Sequence, residues 1–339
     1  MRSATLRLLY NGVDITEDIE EDVGGFSYTA ASSDEADVID VSIADPHKKW
    51  LTQWMPKAGD KLTAAILLKD WERDGDSHVI QCGSYILDEP SYSWPPHIQK
   101  LSAISVACNT SFVSEERSRT WTDAAVSEIA AQIGRENGLE VYFVSRYNPR
   151  LTVEQSKTAD LSFLAKICSD YTLYIKAADG RIVILDPFEM EEQPPVTTIR
   201  ESGDVTRYQL RHTYLDTGYT DAAITTVDAD TGEYHMMEDT AKYQGLTEEE
   251  AQEKYGKTLT VEASEITEDP VLAERKLKKE KMKEYTANIT MPIRLGVTEG
   301  CAVTLQDFGS WDGHWIVDKL SISLPAGTMS LSLHKVVIG

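Results

Sequence analysis

The segment AQEKYGKT, residues 251–258, is the sharpest match to a chemical motif, because its spacing fits a permissive phosphate-binding loop with Ala in place of the first glycine. A working loop follows a strand, is rich in glycine so that its N–H groups converge on phosphate, and leads into a helix. Here four non-glycine residues follow Ala251, inside a predicted helix that ends where the phosphate would bind. The context therefore argues against nucleotide binding.

No other pattern predicts catalysis or a metal site. The seven histidines lack His-Glu-x-x-His spacing, no G-x-S-x-G elbow is present, and the cysteines form no C-x-x-C pair. Among 56 acidic residues some pair stands at glycosidase-like separation by chance, so carboxylates alone predict no hydrolase. We expect no catalytic residues, no metal and no cofactor. Buried thiols are expected at Cys82, Cys108, Cys168 and Cys301.

Negative charge is concentrated near the start of the chain. The formal net charge is -23, and residues 8–47 contain eleven Asp or Glu and no Lys or Arg. Nucleic-acid affinity comes mainly from Lys and Arg that displace counterions, so sequence-specific nucleic-acid binding is not expected. A solvated loop is one interpretation of the densest part, and a surface facing a lumen or a partner is the other. The candidate residues are Asp14, Glu17, Asp18, Glu20, Glu21 and Asp22.

Tryptophans offer a second kind of chemistry. Trp50 and Trp54 lie in a segment that flanks predicted strands, where indole rings can stack on sugars. Tryptophan more often fills a core or a protein interface, which is the favoured interpretation here.

Strands are predicted through the first hundred residues. Asn11-Gly12 has the composition of a type I′ turn, which makes residues 5–10 and 13–16 a hairpin. Apolar residues alternate at positions 39–43 and 62–68, and residues 79–87 and 99–107 fit further strands. Several short strands with turns between them predict a small barrel or sandwich.

A helical period then replaces the alternation. Val126, Ile129, Ala130 and Ile133 recur at helical spacing, with Thr122 predicted as the N-terminal cap and Gly138 as the end. A second helix is predicted around residues 161–168 and a hairpin at 172–185, with the linker EEQPP at 191–195.

The last part returns to strands around a helical insertion. Strands are expected at residues 208–214, 222–227, 288–293, 302–306 and 315–334, the last broken at 325–327. A short helix is expected from Thr247 to Gly256, and Pro270 is predicted to open a longer one that runs to about Tyr285. No export signal and no membrane-spanning segment is expected.

Five segments, taken in order, resemble the late control protein D family of phages, the baseplate hubs of contractile tails and tail-like bacteriocins. They are ADVIDVSIADPHKKWLTQWMPKAGDKLTAAI, CGSYILDEPSYSWPP, RSRTWTDAAVSEIAAQIGRENGL, QSKTADLSFLAKICSDYTLYIKAADGRIVI and MPIRLGVTEGCAVTLQDFGSWDGHWIVDKLSISLPAGTMSLSLHKV. Residues 234–285 match the family least clearly.

The resemblance implies an α+β fold, mainly antiparallel β, in which two tube-like β-barrel domains bracket an α+β middle unit. The expected domains are residues 1–107, 108–195 and 196–339, with a helical insertion at about 245–285 in the second barrel. It also implies a homotrimer, made in the cytoplasm of a bacterial host, that joins the tail tube or a tube-initiator protein to a central spike. A tape-measure protein and a small LysM-type tail protein are further implied partners.

Two hypotheses follow from the acidic segment and the resemblance. An acidic lumen would let DNA or a tape-measure protein pass without the adhesion that a basic one causes. The alternative to a structural hub is a tail-associated cell-wall hydrolase or carbohydrate-binding component. A host-recognition spike would carry long β-helical repeats, and the sequence has none.

Overall fold

A computed structural model describes residues 2–33, 35–105, 110–178, 180–213, 219–227, 234–237, 257–263 and 271–336 of the 339-residue chain. Mainly antiparallel strands with few helices build it, which confirms the predicted fold class. The predicted helix at 247–256, the phosphate-loop residues 251–256 and Cys108 lie outside the described residues. No helix in the described part is both long and apolar enough to cross a bilayer.

Thirteen strands from both ends of the chain form one sheet. They are β1 Ser3–Tyr10, β2 Val13–Asp14, β3 Val23–Ala31, β4 Val38–Ala44, β5 Lys61–Lys69, β6 Ser77–Ser93, β7 Ile98–Ile104, β13 Thr197–Arg200, β14 Arg207–His212, β18 Tyr285–Pro292, β19 Ala302–Gln306, β20 Gly313–Leu324 and β21 Thr328–Lys335. The order is β14-β18-β21-β20-β3-β4-β7-β6-β5-β1-β2, and β13 and β19 branch from β20.

The long strand β20 joins the two ends of the chain. Its first part pairs with β19, its second part pairs with β3 from Lys319↔Ala31 to Leu324↔Phe26, and β21 follows it along most of its length. One apolar core runs under both regions, and it includes Leu8 and Ile39 from the first together with Ile289 and Leu331 from the second. The predicted outer units are thus continuous through one strand pair, while the predicted boundaries at 107 and 195 stay predictions.

The first hairpin has the predicted turn and a shorter second strand. Asn11 and Gly12 both have positive φ, 48° and 82°, as a type I′ turn requires. The expected strand to Thr16 was wrong in length, because β2 ends at Asp14 and Thr16 begins the short helix α1 Thr16–Ile19. The Thr16 hydroxyl accepts from Leu8 N at 3.0 Å and donates to Asp14, so it takes the place of a further ladder bond.

The middle unit has its own core of helices and short strands. Its elements are α2 Thr110–Ser114, β8 Glu116–Ala125, α3 Val126–Asn137, β9 Glu140–Val144, β10 Arg150–Ala159, α4 Asp160–Asp170, β11 Tyr174–Ala178, β12 Arg181–Leu185 and α5 Pro187–Glu191. The predicted apolar face of α3 is buried, and Gly138 ends that helix with φ 67°. Thr122 is not its cap, because pairing with β10 extends β8 to Ala125, whose N–H donates to Glu128 instead.

Late segments of the chain pack on this middle core. The helix α7 Val271–Lys281 contributes Leu272, Ala273 and Leu277 to it, and the predicted extension of the helix to Tyr285 was wrong because β18 begins at that residue. The remaining elements are α6 Glu201–Asp204, β15 Tyr219–Val227, β16 Tyr234–Met237, β17 Lys257–Ala263 and a 3₁₀ turn Gly309–Trp311.

Candidate partner-facing surfaces and unit junctions

The acidic segment lies on the surface beside the first hairpin. Glu17, Asp18, Glu20 and Glu21 are exposed, and no basic side chain of the described residues lies within ion-pair distance of them. These four carboxylates are therefore available to a partner, to ions or to water. We call them the acidic quartet.

The other two predicted acidic residues have structural contacts. Asp14 accepts hydrogen bonds from Thr16 and pairs with Arg7 at 3.0 Å, and these contacts, those from Thr16 first, lower the pKa of Asp14. Asp22 is partly buried, and its carbonyl accepts from Ala44 N at 2.7 Å. The structure thus divides the predicted six residues into an exposed quartet, Asp14 with an engaged carboxylate, and the partly buried Asp22.

A groove of about 510 Å³ opens next to the acidic quartet, and we call it the hairpin groove. Its lining comes from the β1–β2 hairpin, α1 and the loop between β4 and β5. The apolar part consists of Tyr10, Val13, Ile15, Trp50, Trp54 and Met55, and the polar part of Asn11, Asp18, Gln53, Lys57 and Asp60.

The buried Asp45 carboxylate fixes the loop that carries both tryptophans. It accepts from Lys49 N at 2.7 Å, Trp50 N at 3.0 Å and the Tyr92 hydroxyl at 3.1 Å. Trp50 then packs edge-to-face on Trp54, with ring centroids 5.4 Å apart. The groove is preformed, because its aromatic floor is held by hydrogen bonds of the loop beneath it.

Asp60 lines the groove and is held by three hydrogen bonds. The Tyr10 hydroxyl donates to it at 2.5 Å, and the Asn11 amide and Lys57 N donate at 3.0 and 2.9 Å. Burial alone would raise the pKa of Asp60, but these hydrogen bonds outweigh it and lower that pKa. Asp60 is thus a satisfied, charged anchor of the hairpin.

The middle unit contacts both ends of the chain at a second place, which we call the Lys176 clasp. Lys176 of the middle unit donates to Glu299 at 2.7 Å, to the Ala31 carbonyl at 3.3 Å, and pairs with Asp37 at 3.0 Å. Burial alone would lower the pKa of Lys176, but the carboxylates of Glu299 and Asp37 outweigh it and raise that pKa. The clasp therefore holds β11 to both ends of the chain through a charged lysine.

A histidine couples α5 of the middle unit to the shared sheet. His334 is buried, its Nδ1 lies 2.7 Å from Asp318 and its Nε2 lies 3.5 Å from Glu191, which also pairs with Lys278 at 2.8 Å. Burial alone would lower the pKa of His334, but Asp318 and Glu191 raise it to about 9. The imidazolium is thus part of the junction at neutral pH.

Neither junction was predicted from the sequence. The only available signal was a lone lysine and a lone histidine in strands, and nothing local says that residues 37, 176 and 299 meet.

No protein-family model matches this sequence, and no curated protein matches it. Solved structures do. The tail protein from Neisseria meningitidis MC58 aligns with TM-score 0.68 and 15% identity over 98% of this chain and 97% of its own. The 43 kDa tail protein of prophage MuSo2 from Shewanella oneidensis aligns with TM-score 0.66 and 14% identity, over 98% and 97%. This chain has a phage tail-protein fold.

A solved structure from a secretion system is also similar to this chain. An E. coli component of the type VI secretion system, described as similar to the T4 bacteriophage tail proteins gp27 and gp5, aligns with TM-score 0.56 and 10% identity over 93% of this chain and 74% of its own.

One cluster of metal-ligating side chains occurs among the described residues of this tail-protein fold. Ligand atoms of Glu72, Asp76 and His78 lie within 4.8 Å of one another. Asp76 already accepts from three backbone N–H groups, of Trp71, Glu72 and Arg73 at 2.6–3.0 Å, and from His78 at 3.2 Å. A carboxylate offers about four lone-pair sites, so the carboxylate of Asp76 is saturated by these four hydrogen bonds. It anchors the loop and has no lone pair left for a metal ion.

The described cysteines form no disulfide. Cys82 and Cys168 are buried and Cys301 is partly buried. Burial raises the pKa of Cys82 to about 12, so its thiol stays protonated and unreactive at neutral pH.

Proposed function

We propose that this chain is a structural subunit of a phage tail or a phage-tail-like particle, and within it the baseplate hub. The observation that supports this most strongly is the match to two tail proteins over at least 97% of both partners. The similarity of a type VI secretion component to this chain also supports a structural subunit of a tail-like particle.

The proposed hub is a homotrimer in which each chain contributes two barrel-like regions. Because β20 connects these regions through continuous hydrogen bonding, they would move as one body and hold a fixed spacing. Three chains would then present six similar units to a sixfold tail tube, with a central spike on the other side. The late control protein D family is the specific relationship we propose.

The acidic quartet would face the lumen or a neighbouring subunit in this assembly. Its carboxylates are exposed and unpaired with basic side chains in the described part of the chain. In a lumen they would repel the phosphates of passing DNA and keep it from adhering.

Light scattering coupled to size exclusion tests the ring. The chain has a mass of 37.8 kDa, and we expect a species of three times that mass. A single-chain mass at every protein concentration would count against the trimer. Incubation with peptidoglycan tests the enzymatic alternative, since release of soluble fragments would contradict a purely structural role.

A further inference from the structure

The hairpin groove exposes apolar side chains that a soluble surface normally covers. Val13 and Met55 line it and are 64% and 67% exposed, and Leu51, next to Trp50 in the sequence, is 47% exposed. Single exposed apolar residues are common, but several around one preformed aromatic groove mark an interaction site. Methionine suits such a site because its flexible thioether adapts to different partners.

A sugar is the obvious ligand for tryptophans beside carboxylates, and the contacts argue against it. Trp50 is only 4% exposed, so its ring face is not available for stacking. The polar atoms of Asp60 and Asn11 are engaged with Tyr10, Lys57 N and Lys61 N. A groove whose most exposed apolar side chains are the aliphatic Val13 and Met55, and in which Asp60 and Asn11 are already hydrogen-bonded, suits protein side chains better than sugar hydroxyl groups.

Charge defines the partner further. Asp18 lines the groove, and the rest of the acidic quartet, Glu17, Glu20 and Glu21, follows the same short stretch of chain. Lys57 lies in the lining from the β4–β5 loop, so the negative potential is one-sided. A partner that buries Val13 and Met55 must place its own groups beside these carboxylates, and Lys or Arg would fit there.

We propose that the hairpin groove binds an apolar polypeptide segment that carries Lys or Arg on the side facing α1. This rests on the proposed function in one respect, that the segment belongs to another subunit of the particle. Apolar anchors enter between Met55 and Val13, and the basic side chains pair with Asp18 and Glu17.

Two synthetic peptides with the same leucine spacing test the site, one with lysine and one with glutamate at the polar positions. Each is labelled and titrated with the full chain by fluorescence anisotropy. We expect the leucine–lysine peptide to bind at least tenfold more tightly than the leucine–glutamate peptide. Met55→Asp should weaken it at least tenfold, whereas the matched control Val79→Asp, at an exposed site on β6 outside the groove, should bind like the wild type.

Other results would overturn the proposal. If Met55→Asp and Val79→Asp bound the lysine peptide equally well, the attraction would be that of any acidic protein. If the wild type did not bind the lysine peptide, the groove would not be a binding site. An N-acetylglucosamine oligomer that binds the wild type but not Met55→Asp would assign the groove to sugars. Loss of an oligomer in Met55→Asp would assign it to a second copy of the chain.

Light scattering on the same samples separates this inference from the proposed function. A wild-type trimer that binds neither peptide contradicts the groove alone. A chain that remains monomeric at every concentration but binds the lysine peptide through Met55 contradicts the ring alone.

Discussion

At the scale of single residues, a buried lysine joins the middle unit to the shared sheet. The Lys176 clasp places one ammonium between two carboxylates that come from opposite ends of the chain, and all three side chains are at most 22% exposed. Removal of one partner from such a site leaves the others desolvated and unpaired, which costs more than the pair itself contributes. The clasp is therefore a sensitive point for the attachment of the middle unit.

We expect Lys176→Met to lower the free energy of unfolding by about 2 kcal/mol, below the 3–5 typical of fully buried pairs because water still reaches the clasp. Urea unfolding monitored by tryptophan fluorescence measures the change. The matched control is Lys100→Met, since Lys100 pairs with Asp40 at 3.2 Å but is 50% exposed, and it should change stability by less than about 1 kcal/mol. If Lys176→Met and Lys100→Met had the same unfolding midpoint, the clasp would contribute no more to stability than the exposed pair.

His334 makes stability depend on pH in a definite direction. Its pKa rises from the usual 6.5 to about 9 in the folded chain, so folding favours the protonated form. The stabilisation is complete below pH 6.5 and is lost as the pH rises through about 9. Asp318, Glu191 and Lys278 are the charged groups at this junction, and the two carboxylates hold the proton.

We therefore expect the melting temperature to fall between pH 6.5 and 9, and His334→Gln to remove most of that slope. Melting is followed by circular dichroism across this range. His47→Gln serves as the control because His47 is solvent-exposed. If the pH dependence of the melting temperature persisted in His334→Gln, other titratable groups would be its cause.

At the scale of elements, close packing of α3 on β9 depends on one glycine. A methyl group on Gly134 would lie 2.3 Å from Val141 Cγ2 and 3.0 Å from the Leu139 carbonyl. Val141 is stiff at χ1 and cannot swing away freely. The usual gain of about 1 kcal/mol for replacing a helical glycine by alanine is thus reversed here.

Gly134→Ala should destabilise the chain by about 1–2 kcal/mol, the range for overpacking a core contact. The same substitution in a Val141→Ala background should cost less, because the opposing methyl groups are gone. A double-mutant cycle from urea unfolding measures this difference. If the cost were the same in both backgrounds, contact with Val141 would not be its cause.

Local patterns predicted most of these elements. The alternation at Ile39 and Val41, the helical face of α3 and the Asn11-Gly12 turn all concern residues a few positions apart, and the structure confirms each one. The end of β2 at Asp14 and the start of α3 at Val126 were missed, because side-chain bonds from Thr16 and Glu128 decide them. Sequence patterns predict periodicity well, but they do not predict the single side-chain hydrogen bonds that decide where an element begins or ends.

The candidate surfaces were predicted only in part. The acidic segment was visible as composition, yet the separation of the exposed quartet from Asp14 and Asp22 depends on contacts of Asp14 with Arg7 and Thr16 and on the partial burial of Asp22. The tryptophan pair was noticed, but not its place beside that segment. Pairing of β3 with β20, some 290 residues apart in the chain, leaves no local trace.

At the scale of the whole molecule, the contacts that join its parts are separate from the acidic quartet. The two end regions share β20, and the middle unit is attached through the Lys176 clasp, the His334 junction and Arg275 of α7, which binds Asp186 with two hydrogen bonds of 2.9 and 3.1 Å. None of these contacts uses the acidic quartet. Its charge can therefore be changed without touching what holds the chain together, which makes a role in passage through the particle testable.

Conversion of Glu17, Glu20 and Glu21 to Gln and of Asp18 to Asn should leave folding and particle assembly intact but reduce delivery. The reason is that a lumen with twelve fewer negative charges per proposed trimer repels passing DNA less, so adhesion slows transit. Particle number by electron microscopy and delivery to target cells measure the two effects. Four exposed carboxylates elsewhere, Asp74, Glu116, Glu154 and Glu274, give a control with the same change in net charge. Equal loss of delivery in both sets would point to net charge, and unchanged delivery in the quartet variant would end the lumen hypothesis.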